Sequence, residues 1–116
     1  MRPHFTTVMG VGLLCLAGCV ARHDEPFDSS RWKSADLTTR TRADMVGDLL
    51  RKHPVEGQGE DAILNLLGTP TTTDKWPKSE MVYVLGPDSG IGIDHEWLLI
   101  ELNANRVVES HSIVED

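Results

Sequence analysis

The hydrophobic pattern of this chain changes period once, and a hard stop lies at the change. Before Leu66-Leu67-Gly68-Thr69-Pro70 the apolar residues recur at helical spacing, and from Met81 onward they alternate. A chain that makes short helices first and strands afterwards falls in the α+β class, with the helices laid on one face of an antiparallel sheet. Met45, Leu49 and Leu50, with Val46, share one side of a helix over 42–52, and Arg42, Asp44, Asp48, Arg51 and Lys52 lie mostly on the other. Thr41 and Asp44 form a candidate N-terminal capping pair, basic residues suit the last turn, and Pro54 ends the helix. A second helix spans 60–67: Ile63, Leu66 and Leu67 share a face, Glu60 and Asp61 favour its start after Gly59, and Gly68 and Pro70 end it.

The alternating half divides into Met81–Leu85, Trp97–Leu102 and Arg106–Ile113. Gly86-Pro87-Asp88-Ser89-Gly90 closes the first run. Asn103-Ala104-Asn105 joins the last two as a tight hairpin, with Asn105 suited to positive φ. Leu98, Ile100 and Leu102 take one sheet face, and Trp97, Leu99 and Glu101 the other. The expected fold is two helices on one face of a three-stranded antiparallel sheet, in the order ααβββ.

The N-terminus belongs to targeting rather than to the fold. The apolar run from Phe5 to Leu16 is shorter than the ~20 residues a membrane-spanning helix needs. It closes with Leu16-Ala17-Gly18-Cys19, which resembles the lipobox of bacterial lipoproteins. That resemblance implies cleavage between Gly18 and Cys19, with a diacylglyceryl group on the Cys19 sulfur. It divides the chain into a signal peptide over 1–18, a tether over 19–36 and a domain over 37–116. Val20, where Asp would signal inner-membrane retention, implies the inner leaflet of the outer membrane, facing the periplasm. Of the two cysteines, Cys15 leaves with the signal and Cys19 carries lipid, so no disulfide remains to brace the domain.

The chain of 116 residues has a net charge of −7, and the signal removes only one charged residue, Arg2. An acid surplus without a local basic cluster argues against nucleic-acid binding. The tether region, Val20 to Asp36, mixes charge, Ser and Pro without an apolar period. Phe27 and Trp32 stand out in it; they dock either on the domain's own surface or on a partner.

The segment Gly57-Gln58-Gly59-Glu60-Asp61-Ala62-Ile63-Leu64-Asn65-Leu66-Leu67-Gly68-Thr69-Pro70 resembles the G-x-[S/T]-x-x-x-V-x-x-L-L-G-x-P signature of the BamE/SmpA (OmlA) lipoproteins and of the related repeats of beta-lactamase inhibitory proteins. Gly59 stands where that signature has Ser or Thr. Tyr83 before Leu85-Gly86, and Leu98–Leu102 followed by a turn and Val107, also resemble the family's sheet. Leu102 and Asn105 replace its usual Phe and Gly. The resemblance implies a helix-helix-sheet fold and a non-enzymatic periplasmic lipoprotein of a sister group, without a cofactor. No counterpart of the family's Gln-Gly-Asn stretch near the tether occurs, so its partner-binding residues do not carry over.

Asp94-His95-Glu96 has the residue types of an acid–base or metal site, but strand alternation sends His95 away from its two neighbours. No catalytic or metal-binding residue is therefore assigned. Ser79, Ser89, Ser110 and Ser112 lack a nucleophile motif. Candidate partner contacts are Trp97, Leu99, Trp76 and Trp32, because a sheet with helices on one face leaves the other face to be covered. Within the domain, Trp97 alternatively closes the core edge, and Trp76 packs under the loop 71–78. Three functions follow: a lipid-anchored binding or scaffold module in envelope or outer-membrane protein assembly, which is preferred; an inhibitor or immunity-type protein of a periplasmic enzyme; or a small enzyme or metal carrier centred on His95 and Glu96.

Overall fold

The computed structural model describes residues 24–88 and 93–116. The signal peptide, Gly18, Cys19 and the Ser89-Gly90 part of the expected turn lie outside them. Helices α1 (Ser29–Lys33), α2 (Thr41–Lys52) and α3 (Glu60–Leu67) precede strands β1 (Met81–Pro87), β2 (His95–Leu102) and β3 (Val108–Glu115). The strands form one antiparallel sheet in the order β1-β2-β3, and the helices pack against it. The fold is α+β, as the change of period requires.

Helix α1 has no counterpart in the sequence reading and corrects its boundary between tether and domain. Asp28 caps it, its Oδ1 accepting the Arg31 N–H at 2.9 Å. Trp32, set against the core by this helix, is fully buried. The chain before α1 is docked as well. The Glu25 N–H donates to the Asp44 carbonyl at 2.9 Å, and the Phe27 N–H donates to Asp48 Oδ2 at 2.7 Å. Asp24 pairs with Arg51 at 2.6 Å. Residues 24–36 thus belong to the folded unit, and Trp32 is a core residue instead of a partner contact.

Helix α2 buries Met45, Val46 and Leu49 and carries Arg51 and Lys52 in its last turn. Its N-cap is Arg40, with no side-chain capping bond, so the expected Thr41–Asp44 pair does not form; Thr41 shares a hydroxyl contact with Thr39 instead. Asp48, on the same helix, is buried yet satisfied by the Phe27 N–H, by Lys52 Nζ at 3.0 Å and by Arg51 Nη2 at 3.1 Å. The Phe27 N–H leads in holding its carboxyl below the ordinary range.

Helix α3 has the bounds expected of it, with Gly59 as its N-cap and Gly68 as its C-cap. Gly68 adopts φ +80°, a conformation that costs other residues dearly, and Pro70 stops the helix from resuming. Ile63 and Leu67 of α3 meet Met45, Leu49, Trp32 and Tyr83 over the sheet. Each such fully buried aliphatic side chain contributes ~1.5–3 kcal/mol.

In the sheet, Met81, Tyr83 and Leu85 of β1 and Leu98, Ile100 and Leu102 of β2 face the helices. Val82, Val84, Trp97 and Leu99 face away. The β1–β2 register passes from Val84↔Trp97 to Gly86↔Glu96, leaving Leu85 as a bulge residue that is nonetheless buried. Strand β3 starts and ends two residues later than the expected Arg106–Ile113. The turn before it is organised by Asn103, whose Oδ1 accepts the N–H groups of Asn105 at 2.9 Å and Val107 at 3.1 Å. The positive φ falls on Arg106, at +60°, and not on Asn105. Glu60 grips that arginine through Nε at 2.9 Å and Nη2 at 2.6 Å, tying the turn to the first residue of α3.

Candidate functional site

The face of the sheet opposite the helices gathers three of the four candidate contact residues. Alternation along β2 puts Trp97 and Leu99 there, and β1 adds Val82 and Val84 beside them. This face is not open. The segment after Pro70 first borders β1, where the Thr71 N–H donates to the Val82 carbonyl at 2.7 Å and Thr71 Oγ1 accepts the Val84 N–H at 3.0 Å. It then crosses the face. Trp76 sets its ring edge-on to Trp97, with centroids 6.3 Å apart and planes at 64°. Lys75 Nζ reaches Asp116 at 3.2 Å, and Ser79 Oγ donates to Glu101 Oε2 at 2.6 Å.

Trp97 and Leu99 are consequently buried, each with 7% of its surface exposed, while Trp76 is half-buried above them. Trp97 is thus neither an open contact nor a residue closing the edge of the helix-side core: it is buried in a second apolar cluster on the opposite face. What stays accessible is a hollow of about 370 Å³ between the crossing segment and the sheet, lined by Trp76, Pro77, Lys78, Ser79 and Leu99. The Trp76 indole N–H is shielded there and meets no acceptor among the described residues. An apolar concavity with a hydroxyl and an ammonium at its rim suits one apolar side chain of a protein, with a polar group beside it.

The C-terminal end of β3 locks the far side of this face. Asp116 Oδ1 accepts the His95 N–H at 2.9 Å, and its Oδ2 accepts the Trp97 indole N–H at 3.1 Å. The His95 N–H leads, the Trp97 indole follows and Lys75 adds its charge, and together they push the Asp116 carboxyl down to about 2. A depressed carboxyl contributes stability above its ordinary value of 3.8, and that contribution is lost as pH falls toward about 2. Asp116→Asn should therefore be less stable than wild type by a constant margin above about pH 5, and the margin should close by about pH 2. Urea titrations of both proteins across that range check this; a margin independent of pH would refute the role given to Asp116.

The Asp94-His95-Glu96 cluster is dispersed. Glu96 lies 3.5 Å from Arg40 Nη1, and the His95 backbone is occupied by Asp116. Asp94 instead joins Asp88 and Glu115, with one oxygen of each within 4.8 Å of the others. This is an acidic corner without an imidazole. His111 lies apart from both groups and contacts Glu56 at 2.5 Å on the helix side of the sheet.

Sequence reasoning paired Trp76 with Trp97 as candidates but missed the cover over their face. Its signal was a tryptophan between Pro70 and Pro77 in a segment otherwise polar. Comparison with family models, with curated proteins and with solved structures finds no match to this chain. Among the described residues no helix is long and apolar enough to cross a membrane.

Proposed function

We propose that this chain is a lipid-anchored, non-enzymatic binding module on the periplasmic face of an outer membrane, taking a protein partner at the hollow beside Trp76. The observation that carries the reading is that hollow: an apolar recess of about 370 Å³ held open by a segment pinned on both sides, to Glu101 and to Asp116. Leu16-Ala17-Gly18-Cys19 supports the anchor, and Val20 supports the outer membrane as its destination. The resemblance of Gly57–Pro70 to the BamE/SmpA signature supports a role in assembling or stabilising an envelope protein complex. No nucleic acid is expected as a partner of so acidic a chain.

The test is in-cell crosslinking and affinity capture of the full chain, run beside Lys78→Glu and Cys19→Ala. Lys78 is exposed at the rim, so reversing its charge alters the recess without disturbing the core. The expected result is capture of outer-membrane or barrel-assembly components, reduced in Lys78→Glu, and release of Cys19→Ala from the membrane fraction or its accumulation unprocessed. Capture of one soluble periplasmic enzyme would replace this reading with that of an inhibitor. Unchanged membrane association of Cys19→Ala would remove the anchor.

A further inference from the structure

Arg42 is the one buried cation among the described residues, and no described carboxylate pairs with it. Its Nε donates to the Trp32 carbonyl at 2.9 Å and its Nη1 to the Val84 carbonyl at 3.2 Å, with the guanidinium carbon 5.0 Å from the Trp32 ring centroid. A guanidinium has five N–H groups, so one on Nη1 and both on Nη2 are left without a described acceptor. These are the two nitrogens whose parallel N–H bonds match the two oxygens of a carboxylate.

Four carbonyls at the end of α3 already have other partners. The Leu64 carbonyl accepts the Gly68 N–H, the Asn65 carbonyl accepts Lys33 Nζ at 2.7 Å, the Leu66 carbonyl accepts Ser29 Oγ at 2.7 Å and the Gly68 carbonyl accepts the Tyr83 hydroxyl at 2.8 Å. Lys33 forms no ion pair with a described residue either, and its stem lies against Gly68. Lys33 and Arg42 line one cavity of about 340 Å³, together with Leu67, Gly68 and Thr69. That volume corresponds to roughly ten waters, room for more than a lone ion.

We propose that this cavity is a carboxylate-binding site, with the free edge of Arg42 holding the two oxygens and Lys33 supplying the second charge at the mouth. In a chain with net charge −7, two cations left without carboxylate partners at one opening form a local reversal of sign. The ligand is singly charged, because the carbonyl end of α3 forms part of the wall and opposes a dianion more strongly. The carboxylate belongs either to a small free acid or to the C-terminus of a peptide. The site is on the helix side of the sheet, separate from the Trp76 recess, and does not depend on the function proposed for that recess.

The experiment is a titration of the isotope-labelled full chain in neutral detergent, followed by the NMR signals of the Arg42 Nε–H and the Gly68 and Thr69 amides. Acetate, N-acetylalanine, the methylamide of N-acetylalanine and chloride are added at constant ionic strength. The expected result is saturable movement of these signals with acetate and N-acetylalanine, none with the methylamide or chloride, and an affinity about fivefold weaker in Lys33→Gln. Tighter binding of N-acetylalanine than of acetate assigns the site to a peptide terminus; equal binding assigns it to a free acid. Lys33 is exposed, so its variant folds even if Arg42→Gln does not. Movements that match those of chloride, or that are unaltered in Lys33→Gln, overturn the proposal.

Discussion

Trp32→Ala is expected to destabilise the domain by about 3–5 kcal/mol, the cost of emptying a fully buried aromatic site. The indole is enclosed by the Phe27 ring at 6.0 Å, the Tyr83 ring at 6.3 Å and the Arg42 guanidinium at 5.0 Å, so the vacated space has rigid walls and little can collapse into it. Domains of this size have about 5–15 kcal/mol in total, so the loss takes a large share. Trp32→Phe should cost much less, because the indole N–H has no described acceptor and its removal relieves an unsatisfied buried donor. Urea unfolding of the three proteins checks both statements. A Trp32→Ala variant within about 1 kcal/mol of wild type would mean that α1 is not part of the cooperative fold.

Gly86→Ala should be similarly severe, for a reason rooted in the backbone. A methyl group on Gly86 would lie 2.2 Å from the Thr39 carbonyl oxygen, and the residue has φ +129°, which side-chain-bearing residues rarely adopt. Strain of ~1–3 kcal/mol and overpacking of ~1–3 kcal/mol together give a loss of about 2–6 kcal/mol. The close approach follows from the Leu85 bulge, which brings β1 against the turn before α2, where Arg40 Nη1 also donates to the Pro87 carbonyl at 2.6 Å. Thermal unfolding reads the loss. Gly86→Ala with a midpoint within a few degrees of wild type would show that the bulge can relax.

The parts of the fold legible from residue order were those set by punctuation and period. Pro54 and Gly68-Thr69-Pro70 fix where two helices end, and Leu98, Ile100 and Leu102 declare their face without help from the rest of the chain. Helix α1 was hidden because five residues cannot display a helical period, and its single buried side chain looks like a stray aromatic in a polar stretch. The β3 register was hidden because Asn103, rather than the more turn-like Asn105, orders the hairpin, and Glu60 from a distant element holds Arg106 in its left-handed conformation. The candidate recess was half legible. Trp97 and Leu99 belong to one face by alternation, whereas the crossing of that face by Trp76 depends on pairings of Lys75 and Ser79 with residues more than twenty positions away.

The docking of Asp24, Glu25 and Phe27 on α2 also sets a distance. If Cys19 carries the lipid, only Val20, Ala21, Arg22 and His23 separate the anchor from a residue fixed to the domain. Five peptide steps span at most about 18 Å when fully extended. A tether running to Asp36 would let the domain sweep a volume several tens of ångströms deep and meet partners well out in the periplasm. With the lipid at Cys19, so short a leash would confine the domain to a shell next to the bilayer, with α2 as the mooring point, and any partner would have to come within a domain's width of the membrane surface.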